Sequence, residues 1–246
     1  MTVAEPIHLF GTTFQNPVLL AAGTCGFGRE LEEVVDLEAL GGLVTKSVTR
    51  EPRQGNPAPR VTEFGAGMLN SIGLANPGMA AVGREQLPWL ARNLRRARVW
   101  VSVAGHRPEE YPAVVGHLDP GDGFVGFELN LSCPNDSERG GLPFALDGDA
   151  LAGVIDACRA VTERPLWVKL APNDPRLAVH ARRAEEAGAD GITLVNTLPG
   201  RVLRSDGRPA LGAGQGGVSG PALRPVGLQA VALVRPEVGI PLIGVG

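Results

Sequence analysis

The chain has 246 residues, of which 43% are hydrophobic, and a formal net charge of -3. That length sustains one large core of the size common for single barrels, and an acidic balance without a dense Lys/Arg run excludes the phosphate-neutralising surface of a nucleic-acid binder. With no basic-then-apolar leader and no run of about 18 apolar residues, the expectation is a soluble, cytoplasmic protein with no membrane span.

In chain order, residues 7–10 and 13–15 predict a small hairpin around Gly11, within an N-terminal segment 6–16. Short apolar strands then alternate with amphipathic helices, the order that builds a parallel sheet with helical crossovers. Strands are expected at 18–21, 43–45, 99–103, 124–129, 166–170, 192–195 and 242–244. Helices are expected near 30–40, 79–96, 108–118, 149–162, 175–187 and 221–234. Pro88 interrupts the second helix, residues 92–98 read as an exposed helix end, and Pro175 and Gly188 punctuate the fifth. Two long connections, 47–76 and 198–219, read as loops of the length that usually carries function or motion. The pattern is that of an α/β TIM (β/α)8 barrel with about seven of its eight strands, a single domain over 1–246 that stops before the eighth βα unit.

The three cysteines, Cys25, Cys133 and Cys158, have no CxxC or Cys/His spacing. No zinc or iron-sulfur site is therefore expected on this chain, and an odd count argues against a disulfide scaffold. Cys158 shares the stripe of Leu151, Val154, Ile155 and Val161, whose spacing marks the buried face of a helix. Cys133 is different in its setting. The strand ending at Leu129 leads into Asn130-Leu131-Ser132-Cys133-Pro134-Asn135, and Pro134 stops it, which holds a thiol between two amides at a strand exit. Taken alone, such a cysteine reads as a small buried hydrophobe in a turn.

The strand ends change that reading. Lys46 ends the second strand, Ser102 and Gly105 the third, Asn130 the fourth and Asn196 the sixth, while Lys169 lies near the end of the fifth. In a parallel barrel these positions converge on the face where ligands bind. Glu128, two residues before Asn130, faces the same side and is expected to pair with Lys46 or Lys169, because a lone buried carboxylate is costly. Ser219-Gly220-Pro221 opens the last helix and Gly244-Val245-Gly246 follows the last strand, so backbone can approach a phosphate closely at both places. The glycine clusters do not match the dinucleotide fingerprint GxGxxG. A mononucleotide phosphate, as in flavin mononucleotide (FMN), is the better fit.

These motifs together resemble the class 1 dihydroorotate dehydrogenases, B-type catalytic subunit, from about Pro6 to Gly246. The likeness is carried by Thr45-Lys46-Ser47, Asn70-Ser71-Ile72-Gly73-Leu74, the Asn130 to Asn135 segment, Val168-Lys169-Leu170, Asn196-Thr197 and Ser219-Gly220-Pro221. The resemblance implies FMN-dependent oxidation of dihydroorotate to orotate in de novo pyrimidine (UMP) synthesis. Cys133 would be the base at substrate C5 while the C6 hydride passes to flavin N5. Lys46, Asn70, Ser71, Ile72, Gly73, Leu74, Asn130, Asn135, Asn196 and Thr197 would hold the substrate. Ala22, Lys46, Ser47, Ser102, Asn130, Lys169, Val195, Gly220 and Gly246 would hold the flavin, with Lys169 against its ring. A free thiol ionises near pH 8.5, so activity should rise with pH as Cys133 becomes thiolate. The resemblance further implies an electron-transfer partner carrying FAD and an iron-sulfur cluster, in a homo- or hetero-oligomer.

The sequence departs from that family at Ala22, where it usually has Ser, at Ser102, where it usually has Asn, and at Cys25, where it usually has an aromatic residue. The glycine motif also stops at Gly246, ahead of the family's remaining strand and phosphate loop. Two further readings stand beside the first: a flavoenzyme of the dihydropyrimidine dehydrogenase type, separated by testing uracil against dihydroorotate, and a non-catalytic barrel fragment, which would purify without flavin.

Overall fold

The computed structural model describes residues 5–131 and 146–246. Among them, the strands in chain order are β1 (Ile7–Leu9), β2 (Thr12–Phe14), β3 (Leu19–Leu20), β4 (Gly42–Val44), β5 (Val61–Phe64), β6 (Gly67–Asn70), β7 (Arg98–Val103), β8 (Gly126–Asn130), β9 (Leu166–Leu170), β10 (Gly191–Leu194), β11 (Leu198–Gly200), β12 (Gly216–Ser219) and β13 (Leu242–Gly244). The α-helices are α1 (Met79–Ala81), α2 (Leu87–Asn93), α3 (Glu110–Leu118), α4 (Gly148–Arg159), α5 (Leu177–Glu186) and α6 (Arg224–Val234). The parallel sheet runs in the order β13-β10-β9-β8-β7-β4-β3, so all seven strands expected from the sequence are present, two with the expected bounds and the others with ends shifted by at most two residues. The chain divides into two compact units, with boundaries that fall within β8, α4 and β9.

The first unit comprises Met1–Pro52, Asn76–Leu129 and Ala157–Trp167. Here β3, β4, β7 and β8 pair in parallel. Val99 to Val103 and the whole of β8 are buried, as in strands covered on both faces, and Ser102, Glu128 and Asn130 are buried along with their apolar neighbours. The expected hairpin is β1 against β2, with Ile7 opposite Phe14. Its two-residue turn holds Phe10 at φ 55° and Gly11 at φ 67°, the positive values that let a tight turn follow the strand twist.

Glycine adopts such a φ freely; Phe10 does so while packing its ring. That ring lies 5.5 Å from Trp100 and 5.4 Å from Trp167, and the two indoles stack with centroids 3.4 Å apart. The hairpin is thus tied by one aromatic side chain to the starts of β7 and β9. Phe10→Ala is expected to lower unfolding free energy by about 2 kcal/mol, less than a fully buried aromatic because Phe10 is only partly buried. Urea titration checks this, and an unchanged midpoint would mean that the hairpin contributes nothing to the core.

The helix expected at 30–40 is not formed. Two short 3-10 turns, Arg29–Leu31 and Leu37–Ala39, take its place. The β-branched pair Val34-Val35 is followed by Asp36, whose side chain accepts the Glu38 N–H and starts a new turn instead of continuing a helix. Val34 is consequently 76% exposed. The expected helix 79–96 is broken as well, into α1, a π-helical stretch Val82–Gln86 and α2. Pro88 lacks the N–H that would bond back one turn, and the break falls just ahead of it.

The second unit comprises Arg53–Ala75, Asn130–Asp156 and Val168–Gly246. It contains the parallel pair β10 and β13, with Ile192 beside Leu242, and the flanking helices α5 and α6. Asp174 anchors the entry to α5: it accepts the Arg176 N–H at 2.9 Å and pairs with buried His180 Nδ1 at 2.6 Å. The two connections expected as loops are instead built into an antiparallel sheet of order β11-β12-β6-β5. Leu198 faces Val218, Gly217 faces Asn70, and Asn70 faces Val61 across it. Strands beginning Gly216-Gly217 or ending Pro199-Gly200 carry little of the apolar alternation by which a strand is recognised.

Candidate active site

In the first unit, the exit of β4 is fixed by backbone bonds to both sides. Thr45 N–H donates to Trp100 O at 2.9 Å, and Lys46 N–H donates to Gly26 O at 2.7 Å, in the turn after β3 that also contains Ala22. Ser47 and Ser102 meet hydroxyl to hydroxyl at 2.8 Å, both buried. Ser102 N–H donates to Thr45 Oγ1 at 3.2 Å. Three hydroxyls thus gather where β4 and β7 end, and Ser102 sits beside buried Glu128 in the β7–β8 register. The sequence pointed to Ser47 and Ser102; Thr45 as the group that orders Ser102 emerges only from the strand pairing.

Cys25 and Cys158 are both buried. Burial pushes the Cys25 thiol up to about 11 and the Cys158 thiol up to about 12. A raised thiol pKa means less thiolate, so neither is a nucleophile or base near neutral pH. At pH 8, an alkylating reagent is expected to leave Cys25 and Cys158 unmodified on the native protein and to modify both after denaturation; peptide mass spectrometry reads the difference. Rapid native labelling of Cys25 or Cys158 would contradict their burial.

In the second unit the amides form a connected set. Asn196, just past β10, donates from Nδ2 to Asn130 Oδ1 at 3.2 Å and accepts the Thr197 N–H on its own Oδ1 at 2.8 Å. Its backbone N–H is held by Leu170 O at 2.8 Å, at the end of β9. Asn70 donates from Nδ2 to Gly217 O at 3.3 Å. A Cβ on Gly217 would overlap Thr197 Oγ1, so only glycine lets β12 lie this close to Thr197. Asn130, Asn196, Thr197, Gly217 and Asn70 are therefore linked in sequence through space, and amides held this way present fixed donors and acceptors to a planar ligand. Lys169 is buried, at 5% exposed.

The loop after β6 continues the set. Ser71 is 1% exposed, and Gly73 and Leu74 both have positive φ, 71° and 55°. Ile72 lies between them and Ser71, its carbonyl accepting the Asn56 N–H at 3.1 Å. Further along, the β10–β13 ladder extends to Val195, whose N–H donates to Val245 O at 3.3 Å. Gly220, at φ 92°, precedes the 3-10 turn Pro221–Leu223 that runs into α6, and the first turn of α6 has no acidic residue. A Cβ on Gly246 would come within 3.8 Å of Arg224 Cα, so the second residue after β13 lies at the start of that helix. Glycine backbone on both sides of a helix start without acidic side chains fits a mononucleotide phosphate. Cys133 and Asn135 lie outside the described residues.

Asn56 and Arg60 are not among the residues the sequence points to, and Gly217 stands out there only as part of the glycine cluster in the 198–219 connection. The Gly55-Asn56-Pro57 turn and the glycine pair 216–217 were the available signals. Among the described residues, no helix is long and apolar enough to cross a membrane.

A parallel α/β sheet with helices between its strands and polar residues near their carboxyl ends is the arrangement seen in (β/α)-barrel proteins. The model of the family described as dihydroorotate dehydrogenase matches residues 6–246. A catalytic subunit of dihydroorotate dehydrogenase B (NAD+) from Pelobacter propionicus is 44% identical over 98% of this chain and 78% of its own length. A protein of Solibacter usitatus, provisionally named dihydroorotate dehydrogenase A (fumarate), is 48% identical over 100% of this chain and 80% of its own. The crystal structure of dihydroorotate dehydrogenase from Eimeria tenella in complex with ferulenol superposes with a TM-score of 0.77 at 22% identity, covering 98% of this chain and 73% of that one. That last likeness shows the fold, a TIM-barrel-type α/β fold of which part is present here. The chain belongs to the dihydroorotate dehydrogenase family, oxidoreductases that convert dihydroorotate to orotate.

Proposed function

We propose that this chain is a flavin-binding barrel domain that oxidises dihydroorotate to orotate for pyrimidine synthesis, with Cys133 as the base. The observation that carries the reading is the linked set Asn130–Asn196–Thr197–Gly217–Asn70. Its fixed amides complement the ring N–H and C=O groups of a dihydropyrimidine. Lys46, Ser71, Ile72, Gly73, Leu74 and Asn135 complete the substrate contacts, the lysine opposite the carboxylate. Cys133 takes the C5 proton as thiolate. Bound FMN supplies the acceptor for the C6 hydride. Ala22, Lys46, Ser47, Ser102, Asn130, Lys169 and Val195 hold its ring and ribityl chain, and Gly220 and Gly246 its phosphate.

Ala22 has no hydroxyl to offer, so Ser47 and Ser102 carry the hydroxyl contacts of the first unit. The electrons leave through a separate chain: B-type relatives are named as catalytic subunits, which supports a partner carrying FAD and an iron-sulfur cluster, and no cysteine spacing here provides for such a cluster. A cytoplasmic homo- or hetero-oligomer follows from the same reading.

The test is the visible spectrum of the purified protein. Yellow protein that bleaches on anaerobic addition of dihydroorotate is the expected result. Retained flavin that fails to bleach would sink the substrate assignment, and uracil would then be the next compound to try.

A further inference from the structure

Residues 55–60, which precede β5, are hydrogen-bonded through Asn56 and Arg60 to the loop that follows β6. Arg60 donates from Nε to Asn56 O at 2.5 Å and from Nη2 to Gln54 O at 2.8 Å, which closes the segment on itself. The Ser71 N–H donates to Arg60 O at 2.8 Å, and the Asn56 N–H donates to Ile72 O at 3.1 Å. A Cβ on Gly73 would overlap the Asn56 amide, and one on Gly55 would overlap Ile72 O. The two segments therefore leave room for nothing larger than glycine at either point.

Within this clamp, Asn56 donates from Nδ2 to Ser71 Oγ at 2.8 Å. Among the described residues this is the Ser71 side chain's one hydrogen-bond partner, and Ser71 is the acceptor in it. A hydroxyl has one proton and two lone pairs. With a lone pair already engaged by Asn56, the Ser71 proton is left to donate elsewhere, from a side chain that is 1% exposed. A buried hydroxyl held as a donor suits an acceptor group, a carboxylate or a ring carbonyl, and repels a ring N–H.

We infer that Asn56 is a positioning residue that sets the polarity of Ser71, fixing its hydroxyl as a donor to an acceptor oxygen of the substrate. This rests on the reading of Ser71 as substrate-binding. It explains why the 55–60 segment is bonded so tightly to residues 71–73: a donor direction is useful only if oxygen and partner keep their places.

The test is a double-mutant cycle read by calorimetric titration of orotate. Asn56→Ala frees the Ser71 hydroxyl to rotate and is expected to weaken orotate binding about threefold. Asn56→Asp is nearly the same shape but can only accept, so Ser71 must turn its proton back to the new carboxylate; the expected loss is about thirtyfold, larger than for alanine. Simple space-filling would give the opposite order. In a Ser71→Ala background, both Asn56 effects should shrink to less than about twofold, because the group that transmits them is gone. Thermal midpoint and flavin content accompany each variant, and the near-isosteric aspartate carries the comparison if the alanine variant does not fold.

Asn56→Asp binding orotate as well as Asn56→Ala does, or losing as much without Ser71 as with it, overturns the inference. If Ser71→Ala alone leaves orotate affinity unchanged, the substrate reading of Ser71 fails and the Asn56 inference falls with it. If Ser71→Ala weakens binding and the Asn56 effects still do not couple, only the role of Asn56 is wrong.

Discussion

Cys133→Ala is expected to lower dihydroorotate turnover by about a thousandfold while leaving flavin bound, the magnitude typical for loss of a positioned general base. The C5 proton of dihydroorotate is carbon-bound, and its removal needs a base that is partly ionised near neutral pH. Neither of the other thiols can stand in, since burial holds Cys25 and Cys158 protonated up to about pH 11 and 12. The flavin contacts assigned to Lys169, Ser47, Ser102 and Gly220 lie on other strands and loops, so trimming the side chain at 133 to a methyl group leaves them in place. Stopped-flow reduction of the bound flavin by dihydroorotate separates the two effects. Normal flavin content with reduction slowed about a thousandfold is the expected pair of results; reduction at the wild-type rate would remove Cys133 from the mechanism. Wild-type reduction should also quicken as pH rises toward the thiol's ionisation, because thiolate is the reactive form, and Cys133→Ser should lose that dependence.

Gly217→Ala is expected to cost about a hundredfold in kcat/KM, mainly through weaker substrate binding, with the protein still folded. A methyl group there overlaps Thr197 Oγ1, so either Thr197 or β12 must shift. Thr197 is joined to Asn196 by its N–H, Asn196 to Asn130, and Gly217 to Asn70 through its carbonyl. A displacement of about 1 Å at this point therefore reaches the amides on both sides, and misplacement on that scale commonly costs about a hundredfold. The antiparallel sheet retains its other backbone pairs, which is why the loss should appear in binding more than in the thermal midpoint. Orotate titration alongside circular dichroism checks this. Wild-type affinity in a folded Gly217→Ala protein would show that the amides do not depend on one another.

The parallel strands were legible because their chemistry is local. Buried on both faces, 99–103, 166–170 and 192–195 appear as short apolar runs, against which the polar residues at or near their carboxyl ends, Ser102, Lys169 and Asn196, stand out. Lys46, Asn130, Lys169 and Asn196 could be picked out on that basis alone. The helix expected at 30–40 failed for an equally local reason: Asp36 offers its own side chain to a backbone N–H, a competition that apolar spacing does not report.

The sequence by itself thus determined the order of the parallel strands, the polar residues at or near their ends, and the family to which their motifs belong. Only the tertiary structure decided which of those residues act together. Asn70 and Gly217 lie 147 positions apart, and glycine-rich strands carry no side-chain pattern from which their pairing could be read. The hydrogen bonds that align the amides and give Ser71 its direction run between backbone and side chains brought together by that pairing. Their partners are set by register across a sheet, a property of two distant segments at once and of neither alone.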